Sequence, residues 1–229
     1  MLYILKKIIL IYNYSMNIVW RIILDLKSKY YTYIYIDEGK GKFVFKSRYS
    51  KVKMFKNKGA KIILNGKLIF EDIFSNNNCV MIRISQSGVF KIDGDFTIGN
   101  GVKIILNVGS VLQISGALKE TSSGITSNTI IMVNENIKIG YDFLCSWDCF
   151  ITDSDWHKTD CVRNTLPVII GDHVWIATSV KILKGCNINN NCIIASGAVL
   201  HRKNFEKNSL IAGNPANVIK TNVSWSNIL

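Results

Sequence analysis

Proline is nearly absent, with 2 residues in 229, and charged side chains make up only 19% of the chain. Pro-rich or highly charged linkers between modules are therefore excluded, and one continuous architecture is expected, with 48% hydrophobic residues to fill its core. The six cysteines, at 79, 145, 149, 161, 186 and 192, form no repeated CxxC and no spacing of a small secreted disulfide scaffold. With no cleavable signal peptide evident, they read as reduced thiols of a cytoplasmic chain. Cys145, Cys149, Cys186 and Cys192 fall in apolar segments, where a thiol behaves as a small hydrophobe. Acidic residues are also scarce, 16 against 28 Lys and Arg, for a net charge of +12. Such a surface suits an anionic partner. No RNP-like aromatic segment, zinc-finger spacing or helix-turn-helix is present, so nucleic acid is set aside.

Long uninterrupted apolar runs are missing too. The uncharged stretch from Ile8 to Trp20 is too short to span a bilayer. Residues 1–30 instead read as an amphipathic helical segment with two placements open to it. One packs it on the rest of the protein or on a neighbouring subunit. The other lays it on the inner face of a membrane, with Lys6, Lys7, Arg21 and Lys27 toward lipid headgroups. Aromatic and β-branched residues around 31–36 and 42–55 predict strands, separated by a turn at 37–41.

What is there is a repeat. From 170 to 205 the chain divides every six residues into IGDHVW, IATSVK, ILKGCN, INNNCI, IASGAV and LHRKNF, led by Ile170, Ile176, Ile182, Ile188, Ile194 and Leu200. An α-helix would spread a six-residue repeat around its circumference, and a plain strand would alternate every two. A solenoid solves the pattern: each block forms one short side, a corner follows, and stacked coils place the leading aliphatics inward above one another. Weaker frames lie upstream, led by Ile92, Ile98 and Ile104, by Leu106, Leu112 and Leu118, and by Ile139, Cys145 and Ile151. The alternation at 59–70 carries the recognisable solenoid back to about residue 55. The frame breaks after Ile151 and resumes at Ile170, so 152–168 is expected to leave the coil as a loop, and 221–229 forms a tail.

These segments, IGYDFLCSWDCFITDSDWH, VIIGDHVWIATSVKILKGCNI, IASGAVL and IAGNPANVIK in that order, resemble the hexapeptide-repeat acyltransferases. The likeness is to their sugar O-acetyltransferase branch, similar to maltose and galactoside acetyltransferases, and it covers about 139 to 220. The resemblance implies an all-β, left-handed parallel β-helix over 31–220, with an N-terminal helix and an extruded active-site loop. It further implies a homotrimer, with acetyl-CoA in the groove between subunits and a saccharide acceptor, a surface-polysaccharide or lipopolysaccharide sugar. A donor other than acetyl-CoA, or a non-catalytic β-helical scaffold, are the competing readings. The zinc site of β-helical carbonic anhydrases is not expected, because His157, His173 and His201 include no closely spaced pair.

In the D-S-D-W-H run, the resemblance makes His157 the catalytic base. A neutral imidazole can take the proton of a hydroxyl as its oxygen attacks a thioester. A carboxylate would orient it, either Asp153 or Asp155. The resemblance maps acetyl-CoA contacts onto Ser146, Ala177, Thr178, Ala195, Ser196, Arg202 and Lys220. Small residues let the pantetheine arm approach the backbone, and the two cations suit its phosphates. Trp147, Trp156 and Trp175 are the candidates for stacking on a sugar ring.

Overall fold

The computed structural model describes residues 2–74, 78–118, 121–158 and 163–226, with side chains from 16 onward. Among these described residues one helix, α1 (Leu2–Tyr35), precedes 23 strands. All but the last form three parallel sheets that the chain visits in strict rotation, one strand per sheet per coil. The first face starts at Lys42–Phe45, the second at Val52–Lys56 and the third at Lys61–Leu64. The architecture is the parallel β-helix that the hexapeptide frame predicts.

The rotation follows from where the aliphatics point. On the second face Ile82, Ile104, Ile131, Ile151, Ile182 and Leu200 occupy one register position in six successive coils, and all are 0% exposed. Each such side chain contributes about 1.5–3 kcal/mol on burial, and parallel pairing satisfies the backbone between coils. Leu118 departs from its expected place. It is 51% exposed, beyond the strand Val111–Gly116, so the frame led by Leu106 and Leu112 ends there. The buried positions of Cys145, Cys149, Cys186 and Cys192 match their reading as small hydrophobes, and Cys161 lies outside the described residues.

The segment 31–36 is not a strand. Residues 31–35 close α1, because the helix gains hydrogen bonds to the first coil that a strand there would forfeit. Ser28 Oγ accepts the N–H of Phe45, and Thr32 Oγ1 that of Phe43. Tyr31 donates to Val52 O and packs edge-on against Phe45. The first coil therefore begins at Lys42, earlier than the repeat alone indicated. The opposite face of α1 leaves Ile22, Leu26 and Tyr33 exposed. No helix among the described residues is long and apolar enough to cross a membrane.

At the far end the strand Ser209–Gly213 pairs antiparallel with Ala216–Thr221, which closes the first sheet. Residues 222–226 then return along the corner between the third and first faces, where Val223 N–H reaches Asn208 O.

Candidate active site

Two corners of the solenoid carry the predicted site residues. At the corner between the first and second faces, the strands Leu144–Trp147, Trp175–Ile176 and Ile193–Ile194 end side by side. Cys145, Ile176, Ile194 and Ile211 are register partners. The residues that follow them, Ser146, Ala177, Ala195 and Ala212, thus stack as one outward row of small side chains. Thr178 and Ser196 continue the same corner, and Thr178 Oγ1 donates to Trp147 O at 3.0 Å. Cys149 holds the corner from inside, its Sγ donating to Ala177 O at 3.2 Å. Its hydrogen bond with Cys145 lowers the Cys149 pKa and, together with burial, raises that of Cys145.

Beside this row a groove of roughly 320 Å³ opens on the first face, lined by Glu71, Thr97, Thr126, Ser146 and Trp175 among others. Trp175 is 39% exposed at its edge. Trp147 is exposed and meets Phe74 edge-on, with ring centres 6.0 Å apart. Trp156 is elsewhere: it sits on the loop, half-buried, with Nε1 donating to Thr152 Oγ1 at 3.0 Å.

The loop leaves the corner between the second and third faces, after Phe150–Thr152, and rejoins at Val168–Ile170. Its two limbs are joined by a bridge between Ser154 and Thr165 and by Asp155 N–H to Asn164 O at 3.0 Å. His157 is exposed, and it makes no hydrogen bond to a described residue. Neither candidate aspartate orients it within one chain. Asp153 is 0% exposed, and its carboxylate accepts the N–H groups of Asn134, Glu135 and Asn136 at 2.7, 2.8 and 2.7 Å, so it fastens the root of the loop to the coil before it. Asp155 is ion-paired with Lys184, a residue that the sequence reading passed over.

Arg202 belongs to this second corner, not to the row of small residues. Its guanidinium donates to Arg163 O at 3.0 Å. His201 precedes it on the exposed corner. Partial burial, then Arg202 and Lys184, lower the His201 pKa against the opposing pull of Asp155. Lys220 lies on the terminal strand Ala216–Thr221 opposite Leu210, one row away from Ala212. A single chain thus gathers Ser146, Ala177, Thr178, Ala195 and Ser196 at one corner and His157 with Arg202 at another. Among the described residues no group of three or more His, Cys, Asp or Glu side chains could hold a metal ion.

Comparison with known proteins bears on the family of the chain. Residues 167–202 match the family model of the bacterial transferase hexapeptide, six repeats. A Klebsiella pneumoniae protein known only as an uncharacterised 24.8 kDa protein of the cps region is 30% identical over 180 residues, 76% of this chain and 78% of its own. Escherichia coli K12 WbbJ, named as a putative lipopolysaccharide biosynthesis O-acetyl transferase, is 27% identical over 161 residues, 62% of this chain and 79% of its own. Saccharomyces cerevisiae YJL218W, named as a putative acetyltransferase, is 47% identical over 55 residues, and there the match spans only 24% of this chain and 28% of the yeast protein.

Proposed function

Because the chain belongs to the bacterial hexapeptide transferases, we propose that it winds left-handed and is an O-acetyltransferase moving acetyl from acetyl-CoA to a hydroxyl of a surface-polysaccharide or lipopolysaccharide sugar. The observation that carries this reading is the outward row Ser146, Ala177, Ala195 and Ala212, which leaves room for a thin, extended ligand against the corner backbone. The name of the WbbJ relative supports the acceptor class.

His157 and that row stand at different corners, so one chain does not complete the site. A homotrimer resolves this: the loop corner of one subunit faces the small-residue corner of its neighbour, and three equal grooves result. His157 of one subunit then takes the proton of the acceptor hydroxyl while that oxygen bonds to the acetyl carbon. As the carbon–sulfur bond breaks, the imidazolium returns the proton to the departing thiolate, leaving the acetyl ester and free CoA. Arg202, at the His157 corner, supplies positive charge beside the groove. Trp175, with the hydroxyls of Thr97, Thr126 and Ser146, offers a sugar ring an apolar face and hydrogen-bond partners.

The test is titration of acetyl-CoA into the purified protein beside light scattering, followed by thiol release with a panel of saccharides. One site per chain in a particle of three chains, and sugar-dependent release, are expected. Saturable binding of an acyl-carrier protein in place of acetyl-CoA would change the donor. Binding of neither would leave a β-helical scaffold.

A further inference from the structure

We infer that Lys184 is the positioning residue of the acyl-transfer loop, a buried cation that ties both limbs of the loop to the coil beneath and so sets where His157 stands. The inference rests on the reading of this corner as an acyltransferase site.

Lys184 follows the strand Lys181–Ile182 at the corner directly below the loop. Its side chain is 2% exposed, which places it among the largest fully buried side chains of the protein. A lysine is almost never sequestered in this way unless it is paired, since an unpaired ammonium in the interior is strongly unfavourable. Two partners satisfy it, one from each limb: the Asp155 carboxylate on the outgoing limb, and Arg163 O, at 2.9 Å, on the returning limb.

The next coil repeats the gesture. Ile182 and Leu200 are register partners, so Arg202 stacks on Lys184, and its guanidinium reaches the same Arg163 carbonyl. The Arg163 side chain pairs with Glu135 of the coil before, at 3.0 Å. Below the latch, Gly185 N–H donates to Leu166 O and Leu166 N–H to Asp153 O. The fastenings between the loop and the coils thus meet at 153–155 and 163–166: Lys184 holds both limbs from the coil beneath, as Asn134 does from the coil before, with its N–H on Asp153 Oδ1 and its Nδ2 on Thr165 Oγ1. His157 lies two residues beyond Asp155 and directly after Trp156, whose N–H and Nε1 are held by Ser154 and Thr152 of the same root, so a displacement of the root moves the imidazole. Asp155 acts on His157 only through this backbone, because its carboxylate is committed to Lys184.

The experiment compares wild type with Lys184→Met, which keeps the length and removes the charge, Lys184→Arg, which keeps the charge, and Asp155→Asn, which breaks the same pair from the exposed side without altering the coil. Amide hydrogen exchange across 150–190 reads the latch without reference to activity. Exchange at Asp155 and Leu166 should accelerate at least about tenfold in Lys184→Met and Asp155→Asn while Ile170 and Leu183 keep their protection, and Lys184→Arg should restore most of the slow exchange. Acetyl-CoA affinity should stay within about twofold, because the small-residue row belongs to the neighbouring subunit of the proposed trimer and Arg202 keeps its own bond to Arg163 O, while kcat for acetyl transfer falls on the order of 100-fold with KM for acetyl-CoA unchanged.

Wild-type exchange in the loop of both Lys184→Met and Asp155→Asn would overturn the latch, whatever happens to activity. A loosened loop with wild-type kcat would overturn the positioning role. A wild type that shows the latch but transfers no acetyl group would sink the acyltransferase reading and reduce Lys184 to a structural pair.

Discussion

The imidazole of His173 and the indole of Trp225 are stacked, 3.9 Å apart between ring centres with 9° between their planes, and the two residues share two hydrogen bonds. Trp225 Nε1 donates to His173 O at 3.0 Å, and His173 Nε2 lies 3.1 Å from Trp225 O, an acceptor only, so Nε2 carries the proton. This clasp holds the returning tail beside Trp175, whose ring is centred 6.1 Å from that of Trp225.

Replacing Trp225 with alanine is therefore expected to act on the acceptor side. The stack and one side-chain hydrogen bond are worth about 1–2 kcal/mol together, too little to unfold the solenoid. KM for the saccharide should rise several-fold through a less fixed Trp175, while acetyl-CoA affinity remains. Steady-state kinetics with each substrate varied in turn will check this, and an equal rise in both KM values would refute it.

The two corner histidines can be separated by substitution. Loss of a general base costs about 10²–10⁴-fold in kcat, which is expected for His157→Ala, whereas His201→Ala should cost less than about tenfold. The pH profile adds a second criterion. A base is active when neutral, and the His201 pKa is lowered, so a rate governed by His201 would persist to lower pH than ordinary imidazole allows. If His201→Ala removes an acid-shifted limb together with the activity, the assignment to His157 is wrong.

Bulk placed in the small-residue row should exclude the donor and spare the fold. Ala177→Leu and Ala195→Leu project outward from the first-face corner, so their effect on melting should stay within about 0.5 kcal/mol. Acetyl-CoA binding by calorimetry should fall at least about tenfold in each. Unchanged affinity in both variants would remove the row from the cofactor path.

Much of this is legible in the sequence. The inward ladder Ile170, Ile176, Ile182, Ile188, Ile194 and Leu200 showed itself because short sides and tight corners return the chain to the same place at a fixed interval. The exit of the loop showed as a gap in that frame. Upstream, the coils are longer: register partners Leu68 and Phe96 are 28 positions apart, against 18 for Ile176 and Ile194, so the six-residue frame survives only in short runs such as Ile92, Ile98 and Ile104. The segment 31–36 has strand-forming composition, and tertiary bonds from Ser28, Tyr31 and Thr32 made 31–35 helix. Lys184 was hidden for a different reason. Within a hexapeptide, a lysine before glycine reads as a solvated corner, and only the extruded loop folding over it converts it to a buried cation.

Alkaline pH offers a test of the core itself. Burial pushes the Cys186 thiol up to about 11 from an ordinary value near 9. The folded chain then holds that proton more tightly than the unfolded one, so the stability it contributes is complete below pH 9 and is lost between 9 and about 11. The melting temperature of the wild type should fall more steeply over that interval than that of Cys186→Ala, with no difference in slope below pH 8.

A stack of parallel coils is in principle endless, since each exposed rim is a template for the next. Here each rim is closed on the first sheet: α1 consumes the amides of Phe43 and Phe45, and the antiparallel return of Ala216–Thr221 reverses the chain direction that a further coil of that sheet would need. The protein is thereby a counted object and not a segment of a fibre, and the number of its coils, with the reach of any polymeric ligand along them, is written by the two elements that lie outside the repeat.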